Sequence, residues 1–476
     1  MPARNLIILF LSAVISLLCY HTASRNHYGG LLATAIGEIN ETFVRPVDDR
    51  DLFEGAMDGM VRQLDPYSDY IDPDELAEFK EDLDQKFGGI GILVEVNSKT
   101  NRLTVLSPLP DTPASEAGMR AGDQILAIDG KSTEGFQIRD AVDLMRGDPG
   151  TSLLVTVLHA GDSESVDMEL ERAIIPIASV RGDVRNADGT WQFRLEDHPR
   201  IGLVRLATFG EKTAQEIRDT IRKLEGKIDG LILDVRGNGG GLLNSAIDVC
   251  NLFVDEGGIV SIRGRLESEY RDYYADPSST VMRDLPLVVL IDGFSASASE
   301  ITAGCLQDHG RAVVVGTRSW GKGTVQNVMP FEGGKSALKL TVATYWRPSG
   351  NNIHRHVDAT DEDAWGVTPD EGCLVETDEL TFTKIFLLRR KRDRVTTDEE
   401  VTDVEESGSD QVTEEVVGEN ESDTDTEDDK ESKLPDITGF EDPQMKRAVE
   451  VIKELISGER KPGKSIKPEP AMQKAA

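Results

Sequence analysis

Apolar residues recur with helical spacing at the start of the chain. In residues 33–65 they return every three or four positions, and Pro46 interrupts the pattern. A turn at 65–68 (DPYS) follows, and Pro73 begins another stretch of the same kind. This spacing places apolar side chains on one face of each helix. The pattern therefore predicts a small N-terminal helical region over residues 30–85.

Short strands and turns replace this spacing from about residue 86. A glycine-rich stretch (FGGIGI) leads into an apolar strand, and AGMRAGDQIL follows at 117–126. The order of glycine loop, strand, helix, strand, helix and strand in residues 86–172 resembles a PDZ domain. In such domains, loop N–H groups hold the terminal carboxylate of a peptide that adds a strand to the sheet. The resemblance assigns this binding to the backbone of Gly89, Ile90 and Gly91.

Strands alternate with helices from residue 201 to about 388. The strands are short apolar runs, such as LILDV at 231–235, and the helices between them carry one apolar face. Such alternation indicates βαβ units with helices covering a sheet. We therefore predict an α/β domain over residues 173–390.

The C-terminal part of the sequence has a different composition. Residues 398–432 contain 17 Asp and Glu residues against one Lys, so the segment 395–432 is expected to be disordered. Helical periodicity returns with DPQMKRAVEVIKELI, which predicts a helix over 441–457. The apolar face of this helix is expected to comprise Val449, Ile452, Leu455 and Ile456.

Charge and cysteine content exclude some classes of function. The formal net charge is -34, about half of it in the acidic segment, and such a surplus argues against nucleic acid as a partner. The cysteines show no zinc-site spacing. Cys250 and Cys305 lie in apolar helical patterns, so we interpret them as core residues. A disulfide between these two is the alternative.

The N-terminus has the pattern of an export signal. A basic Arg4 precedes an apolar run at residues 6–20, which is short for a full membrane span. We expect residues 1–22 to be a signal peptide or an uncleaved membrane anchor, and both remain open. The protein is expected to be exported to the periplasm or cell envelope.

Three serines stand where an apolar strand meets a helix, in DGFSASASE at residues 292–300. Small neighbours would let a serine hydroxyl project and a substrate approach the backbone. The N–H of Ala298 would then face a developing oxyanion, with the helix dipole adding to it. Ser295, Ser297 and Ser299 compete for the role of nucleophile, and a serine-rich helix cap is the alternative.

A lysine between two glycines follows the next strand, in GTRSWGKGTVQ at residues 316–326. So tight a backbone favours a buried amine, although a turn with an exposed lysine is the alternative. Lysine has an ordinary pKa of about 10.4, and desolvation lowers it toward neutrality. A desolvated Lys322 would serve as the base for a serine nucleophile. The amide of Gln326 would lie four residues on, where it can orient this base.

A glycine loop separates another strand from its helix, in DVRGNGGGL at residues 234–242. Loops of this kind lie at the carboxyl edge of the sheet. The sequence matches neither GxxxxGK[ST] nor GxGxxG, so phosphate binding is the less favoured alternative. We expect an oxyanion loop in which an N–H at Gly240 joins that of Ala298.

Together these stretches resemble the carboxyl-terminal processing (tail-specific) proteases. The family combines a PDZ domain with N-x-GG-x-L, S-A-S-A-S-E and G-K-G-x-V-Q, found here at residues 238–242, 295–300 and 321–326. In that family the middle serine is the nucleophile, and the lysine follows at the spacing found here. The resemblance therefore selects Ser297, with Lys322 as base and Gln326 as its helper.

The resemblance implies a crotonase-like α/β protease core with an inserted PDZ domain and an N-terminal helical domain. It implies serine endopeptidase activity near the C-termini of proteins, through an acyl-enzyme on Ser297, with no metal and no cofactor. The expected partners are protein or peptide substrates with free C-termini. An envelope adaptor or activator and the oligomeric state are left open.

Two other functions fit parts of the sequence. A catalytically silent PDZ scaffold of the cell envelope would need neither Ser297 nor Lys322, yet both are present. A crotonase-type acyl-CoA enzyme would share the expected fold, but the export signal and the PDZ domain argue against it. The sequence departs from the family in the longer, more charged loop 351–364 and in the inserted segment 395–432. We expect both departures to affect partners rather than the dyad.

Overall fold

The computed structural model describes residues 5, 10–16, 27–84, 86–97, 100–176, 178–186, 189–281, 283–393 and 435–463. The acidic segment 395–432 and most of the predicted export signal lie outside the described residues. In the described part of the chain, no helix combines the length and the apolar character that a membrane crossing requires. The chain divides into two compact units, residues 1–77 with 326–342 and residues 78–325 with 343–476.

The first unit joins two N-terminal helices to a small antiparallel sheet. Its elements are α1 (His27–Thr42), α2 (Asp49–Val61), β1 (Asp69–Ile71) and most of β19 (Thr324–Phe331) and β20 (Ser336–Trp346). Strand β1 pairs antiparallel with the first part of β20. Met57, Val61 and Tyr70 form the buried centre of this unit. The two helices stop and restart on either side of Pro46, as the sequence predicts.

Helix α3 (Pro73–Asp84) crosses the boundary between the two units, and its residues 78–84 begin the second unit. A six-stranded antiparallel sheet follows it. The elements of this region are β2 (Lys86–Gly89), β3 (Ile92–Asn97), β4 (Arg102–Pro108), α4 (Pro113–Glu116), β5 (Gln124–Ile128), β6 (Lys131–Ser132), α5 (Ile138–Met145), β7 (Ser152–Leu158), β8 (Val166–Glu171) and β9 (Ala173–Pro176). The strand order is β3-β4-β5-β7-β8, with β6 on β5. Leu103, Ile125 and Val155 are buried at its centre. Strands β2 and β9 pair beside this sheet, where the chain enters and leaves it.

A second sheet forms the core of the same unit. Its strands are β10 (Val180–Arg181), β13 (Ile201–Leu206), β14 (Gly230–Asp234), β17 (Leu287–Ile291) and β18 (Val313–Gly316), in that order. The last four run parallel, because a helix returns the chain between successive strands. These helices are α6 (Thr213–Leu224), α7 (Leu243–Asn251) and α8 (Ala298–Asp308). The parallel sheet explains why its strands are continuous apolar runs.

The last helix, α10 (Pro443–Ser457), covers the opposite face of this sheet. Val449, Val451 and Ile452 pack there against Ile232 and Leu290 of the strands. The predicted apolar face is thus confirmed at Val449 and Ile452. Leu455 packs half-buried against the same cluster, whereas Ile456 is 41% exposed, with its Cδ1 near Gly230 of the sheet.

Several further elements border the core. They are β11 (Val184–Arg185), β12 (Trp191–Gln192), β15 (Gly258–Gly264), β16 (Arg271–Tyr274) and α9 (Glu379–Asp393). Strand β15 pairs with β16 on one side and with the end of β20 on the other. Cys250 and Cys305 are buried and unbridged. Their interpretation as core residues is therefore confirmed, and the disulfide alternative is wrong.

Candidate active site

Ser297 occupies a strained backbone position between β17 and α8. It is the N-cap of α8, with φ of 55° and ψ of -112°. A side chain in this sparsely populated region costs about 1–3 kcal/mol and persists where the surroundings enforce it. The residue is 8% exposed, so it lies at the rim of the core rather than fully within it.

Hydrogen bonding separates Ser297 from its two neighbouring serines. Ser295 Oγ donates to the Val235 carbonyl at 2.8 Å, and Ser299 Oγ donates to the Asn238 carbonyl at 2.9 Å. Both residues are fully buried. Their hydroxyl protons therefore bind one loop to another, whereas Ser297 keeps some access to solvent.

The Ser297 hydroxyl is in hydrogen-bond contact with the phenol of Tyr345. Tyr345 lies near the end of β20 and is 5% exposed. Its burial raises the pKa of the phenol to about 12, which the contact with Ser297 partly opposes. The phenol is therefore neutral at physiological pH and can donate or accept at the serine.

Lys322 lies in a loop whose two flanking glycines are packed against another segment. Gly321 has φ of +89°, and a Cβ placed on it would lie 2.6 Å from Arg355 Cβ. A Cβ on Gly323 would lie 2.1 Å from the backbone nitrogen of His354. Lys322 itself is half-buried. The loop 351–364 thus packs against the backbone on both sides of the lysine, contrary to the expectation that its departure from the family pattern leaves the dyad unaffected.

A single buried carboxylate, Glu300, joins the serine turn to the lysine loop. Its Oε2 accepts the backbone N–H of Ser297 at 2.8 Å and that of Lys322 at 2.9 Å. Its Oε1 accepts the N–H of Gly321 at 2.7 Å and the hydroxyl of Ser319 at 2.6 Å. Complete burial raises the pKa of Glu300 to about 7, against the opposing effect of these four hydrogen bonds.

The glycine loop packs directly against the serine. A Cβ on Gly240 would lie 2.9 Å from Ser297 Cβ and 3.1 Å from the Ala298 nitrogen. The N–H of Gly240 donates to Asn238 Oδ1 at 2.8 Å. The Ala298 N–H stands at the first position of α8, where a helix leaves its donors without an intrahelical acceptor. Both predicted oxyanion donors therefore adjoin Ser297, and that of Gly240 is engaged with Asn238.

Gln326, the predicted helper, lies in the first unit. Its Nε2 donates to Thr341 Oγ1 at 3.1 Å. Thr341 in turn donates from its hydroxyl to Asp65 and from its N–H to Ser68, each at 3.1 Å. The role of Gln326 in orienting Lys322 stays a prediction.

The predicted peptide-binding loop borders a cavity of about 150 Å³. The cavity is lined by Phe87, Gly89, Ile90, Gly91, Ile92, Val94, Val142, Met145 and Arg146. The carbonyls of Ile90 and Gly91 accept the N–H groups of Ala114 and Leu109 at 3.0 and 2.9 Å, which hold the loop in place. Most of the lining is apolar, and the Arg146 guanidinium adds one positive charge. This composition suits a peptide end with an apolar side chain.

Three residues of the site were missed in the sequence reading. Glu300 could have been found, because Ser297-x-x-Glu300 has the capping-box spacing in which the third helical residue accepts the N-cap N–H. Tyr345 gave no local signal, since its place beside the serine depends on β20 reaching the core. Arg236, at the start of the glycine loop, also gave no local signal, because it donates to Asp442, which lies more than 200 residues away in sequence. Among the described residues, no cluster of three or more metal-ligating side chains occurs.

Sequence models of known families match three parts of the chain. Peptidase family S41 matches residues 200–372, a PDZ domain matches 104–158, and the "Activating protease CtpB N-terminal domain" matches 30–75. These three regions follow one another in the order that the sequence predicts.

Two relatives support the same assignment, and one solved structure is reported beside them for its similarity alone. The carboxy-terminal-processing protease of Bartonella bacilliformis is 38% identical over 371 residues, which are 76% of this chain and 80% of the relative. CtpA of Bacillus subtilis is 34% identical over 331 residues, 68% of this chain and 66% of the relative. A solved photosystem II D1 C-terminal processing protease is 28% identical, covers 76% of this chain and 96% of its own, and has a TM-score of 0.40. By the match to the first of these relatives, the chain belongs to peptidase family S41, the carboxy-terminal processing serine proteases.

Proposed function

We propose that Ser297 is the nucleophile of this protease and that Lys322 is its general base. The single observation that carries the proposal is the sharing of Glu300, whose Oε2 receives the backbone N–H of both residues. One buried carboxylate thereby fixes the serine turn and the lysine loop relative to each other. Such preorganisation lets a dyad act without reorganising during the reaction.

The proposed reaction proceeds in two steps. Ser297 Oγ attacks the scissile carbonyl carbon while the neutral Lys322 amine takes the hydroxyl proton. The resulting ammonium returns that proton to the leaving amine as the peptide bond breaks, which leaves an acyl-enzyme on Ser297. Water then attacks the ester, with Lys322 again accepting and returning a proton.

The oxyanion that forms in each step needs donors beside Ser297. The N–H of Ala298 is directed outward from the N-terminus of α8, where the helix dipole favours negative charge. We assign the second donor to Gly240, whose N–H becomes available when Asn238 Oδ1 releases it. The close approach of Gly240 to Ser297 supports this assignment.

We further propose that the PDZ domain binds the free C-terminus of the substrate. The terminal carboxylate would accept N–H groups of Gly89, Ile90 and Gly91, and the last side chain would enter the 150 Å³ cavity. Peptides with free carboxyl ends should bind more tightly than their amidated twins. Equal affinities in a fluorescence titration would remove carboxylate recognition from the proposal.

Export to the periplasm or cell envelope is also proposed, on the basic and apolar pattern of residues 1–22. Fractionation of cells that express the full chain, with the mature N-terminus determined by mass spectrometry, tests it. Recovery in the cytoplasm with an intact N-terminus would contradict export.

The protease assignment itself is tested by hydrolysis of casein. Wild-type protein should release peptides, and Ser297→Ala should not, because that variant lacks the attacking oxygen. Ser295→Ala and Ser299→Ala are the matched controls, each losing a hydroxyl that hydrogen-bonds a carbonyl of the core. An inactive control beside an active Ser297→Ala would reassign the nucleophile.

A further inference from the structure

Arg236 stands at the start of the glycine loop, buried between carboxylates from distant parts of the chain. Its Nε and Nη2 donate to Asp234 at 2.9 and 2.8 Å. Its Nη1 donates to both oxygens of Asp442, at 3.2 and 3.0 Å, and to Gln444 Oε1 at 3.0 Å. The side chains of Arg236 and Asp442 are 7% and 4% exposed. Charge-assisted hydrogen bonds are strong and directional in a buried environment from which solvent is excluded.

Asp442 performs two tasks with one carboxylate. It is the N-cap of α10, and its Oδ1 accepts the N–H groups of Gln444 and Met445, each at 3.0 Å. The rest of α10 is held to the sheet by its apolar face, with Val451 and Ile452 fully buried. The helix therefore has apolar contacts with the sheet that do not involve Asp442, while its first turn holds the Arg236 guanidinium.

A second arginine strengthens this link. Arg389 of α9 lies 4.0 Å from Asp234 and 3.8 Å from Asp442, and its side chain is 15% exposed. Two guanidinium groups therefore share these carboxylates. Loss of either carboxylate would leave buried positive charge short of a partner, which is costly in a core.

The loop beyond Arg236 is tied step by step to the serine turn. The N–H of Gly237 donates to the Asp292 carboxylate at 3.0 Å. The Asn238 carbonyl accepts the N–H of Ala296 at 3.0 Å, and Gly240 then packs against Ser297 without room for a side chain. A continuous series of contacts therefore connects Arg236 to Gly240 and the serine.

We propose that Asp442 is a positioning residue for peptide hydrolysis. Through Arg236, it fixes the glycine loop against Ser297, so that the C-terminal helix forms part of the active-site scaffold. The proposal rests on the proposed role of Ser297, since it is at this residue that the loop acts. It assigns to the last helix a catalytic contribution in addition to its packing.

Asp442→Asn tests the proposal, because asparagine caps a helix as well as aspartate does but carries no charge for Arg236. With a peptide substrate, kcat should fall about tenfold or more, while KM stays within about twofold, since the lost contact acts on the transition state. Glu441→Gln is the matched control, because that adjacent carboxylate is 67% exposed and pairs with Lys446. Its kcat should equal that of the wild type.

Hydrogen exchange of residues 236–241 gives a readout that does not depend on activity. In Asp442→Asn these amides should exchange faster, while those of the central strands β14 and β17 keep their protection. Gln444→Ala removes another acceptor of Arg236. It should also lower kcat and speed the exchange of residues 236–241, each by a smaller amount than Asp442→Asn. That variant carries the test if Asp442→Asn does not fold.

Unchanged exchange in 236–241, or unchanged kcat in Asp442→Asn, would overturn the proposal. Faster exchange over the whole sheet would also overturn it, because Asp442 would then act on stability alone. If the loop loosens but the wild type cleaves no peptide, Asp442 still positions the loop and the proposed function of Ser297 is what fails.

Discussion

The backbone N–H groups of Ser297 and Lys322 donate to the same oxygen of Glu300, at 2.8 and 2.9 Å. The two residues are remote in sequence, and α8 and β18 lie between them. A shared acceptor therefore fixes the distance between the turn and the loop more firmly than either segment could alone. The acceptor is fully buried, so solvent does not compete for it.

Replacement of Glu300 should damage both segments. Glu300→Gln substitutes an amide NH₂ for one acceptor oxygen and leaves buried N–H groups without a partner, at about 1–3 kcal/mol for each such group. We expect loss of most activity and a lower free energy of unfolding, measured by peptide hydrolysis and urea titration. Glu379→Gln, at the exposed start of α9, is the control that should change neither.

The pKa of Glu300 gives this residue a definite pH signature. Its folded-state pKa of about 7 lies above its ordinary value of 4.5, so the native state holds the proton more tightly than the unfolded chain. The stabilisation is complete below about pH 4.5 and is lost as pH rises through about 7, a change on the order of 3 kcal/mol. Unfolding measured at pH 5 and 7.5 should show this loss in the wild type and not in Glu300→Gln. If the free energy of unfolding changed equally between these two pH values in both proteins, the raised pKa would not belong to Glu300.

Lys322→Arg should be inactive with a nearly unchanged KM, because guanidinium stays protonated at any working pH and cannot take a proton from Ser297. Steady-state kinetics with a peptide substrate measures this. Lys227→Arg, an exposed lysine beyond α6, is the control expected to behave as wild type. An active Lys322→Arg enzyme would remove the general-base role.

Tyr345→Phe should lower kcat about fivefold, which corresponds to the roughly 1 kcal/mol of one hydrogen bond. The phenol contacts the Ser297 hydroxyl, and without it that hydroxyl is less well oriented. Tyr273→Phe is a suitable control, since Tyr273 packs half-buried against the same core. Equal kcat in both variants would show that the phenol has no part in orienting the serine.

The C-terminal helix should matter for stability, whereas the acidic segment should not. Ile452→Ala empties a fully buried site and should cost about 2–5 kcal/mol, while Ile456→Ala, at a 41% exposed position, should cost far less. Deletion of 395–432 should leave the Tm and the basal peptidase activity nearly unchanged, because the composition of this segment provides few apolar side chains for burial. A Tm several degrees lower after the deletion would contradict this.

The sequence predicted those elements whose apolar pattern is local and uninterrupted. Strand β14 (Gly230–Asp234) lies within one residue of the predicted apolar run at 231–235, because a short apolar run ended by a turn is a local signal. Strand β20 was not predicted as an element, since most of its side chains are half-buried and its partners β1 and β15 lie far away in sequence. Helix α9 was missed because its apolar residues lie on all sides of the helix rather than in one stripe, and some of its contacts are ion pairs of its arginines.

The candidate site likewise divides into residues with a local sequence signal and residues whose role depends on distant partners. The serine, the lysine and the glycine loop were found because each has its own local motif. The contact between Arg236 and Asp442 joins residues 206 positions apart, so no window of sequence contains it. Glu300 lay within a quoted motif, but its second role, at the lysine loop, depends on how β18 returns the chain to the serine turn.

The most direct test of the account is to trap the acyl-enzyme and locate it. Wild-type protein mixed with an activated peptide ester, quenched in acid and digested, should carry the acyl group on Ser297, as fragment masses can show. Lys322→Ala should form this adduct much more slowly, because no base removes the serine proton. An adduct on Ser295 or Ser299, or equal acylation rates in the two proteins, would contradict the proposed dyad.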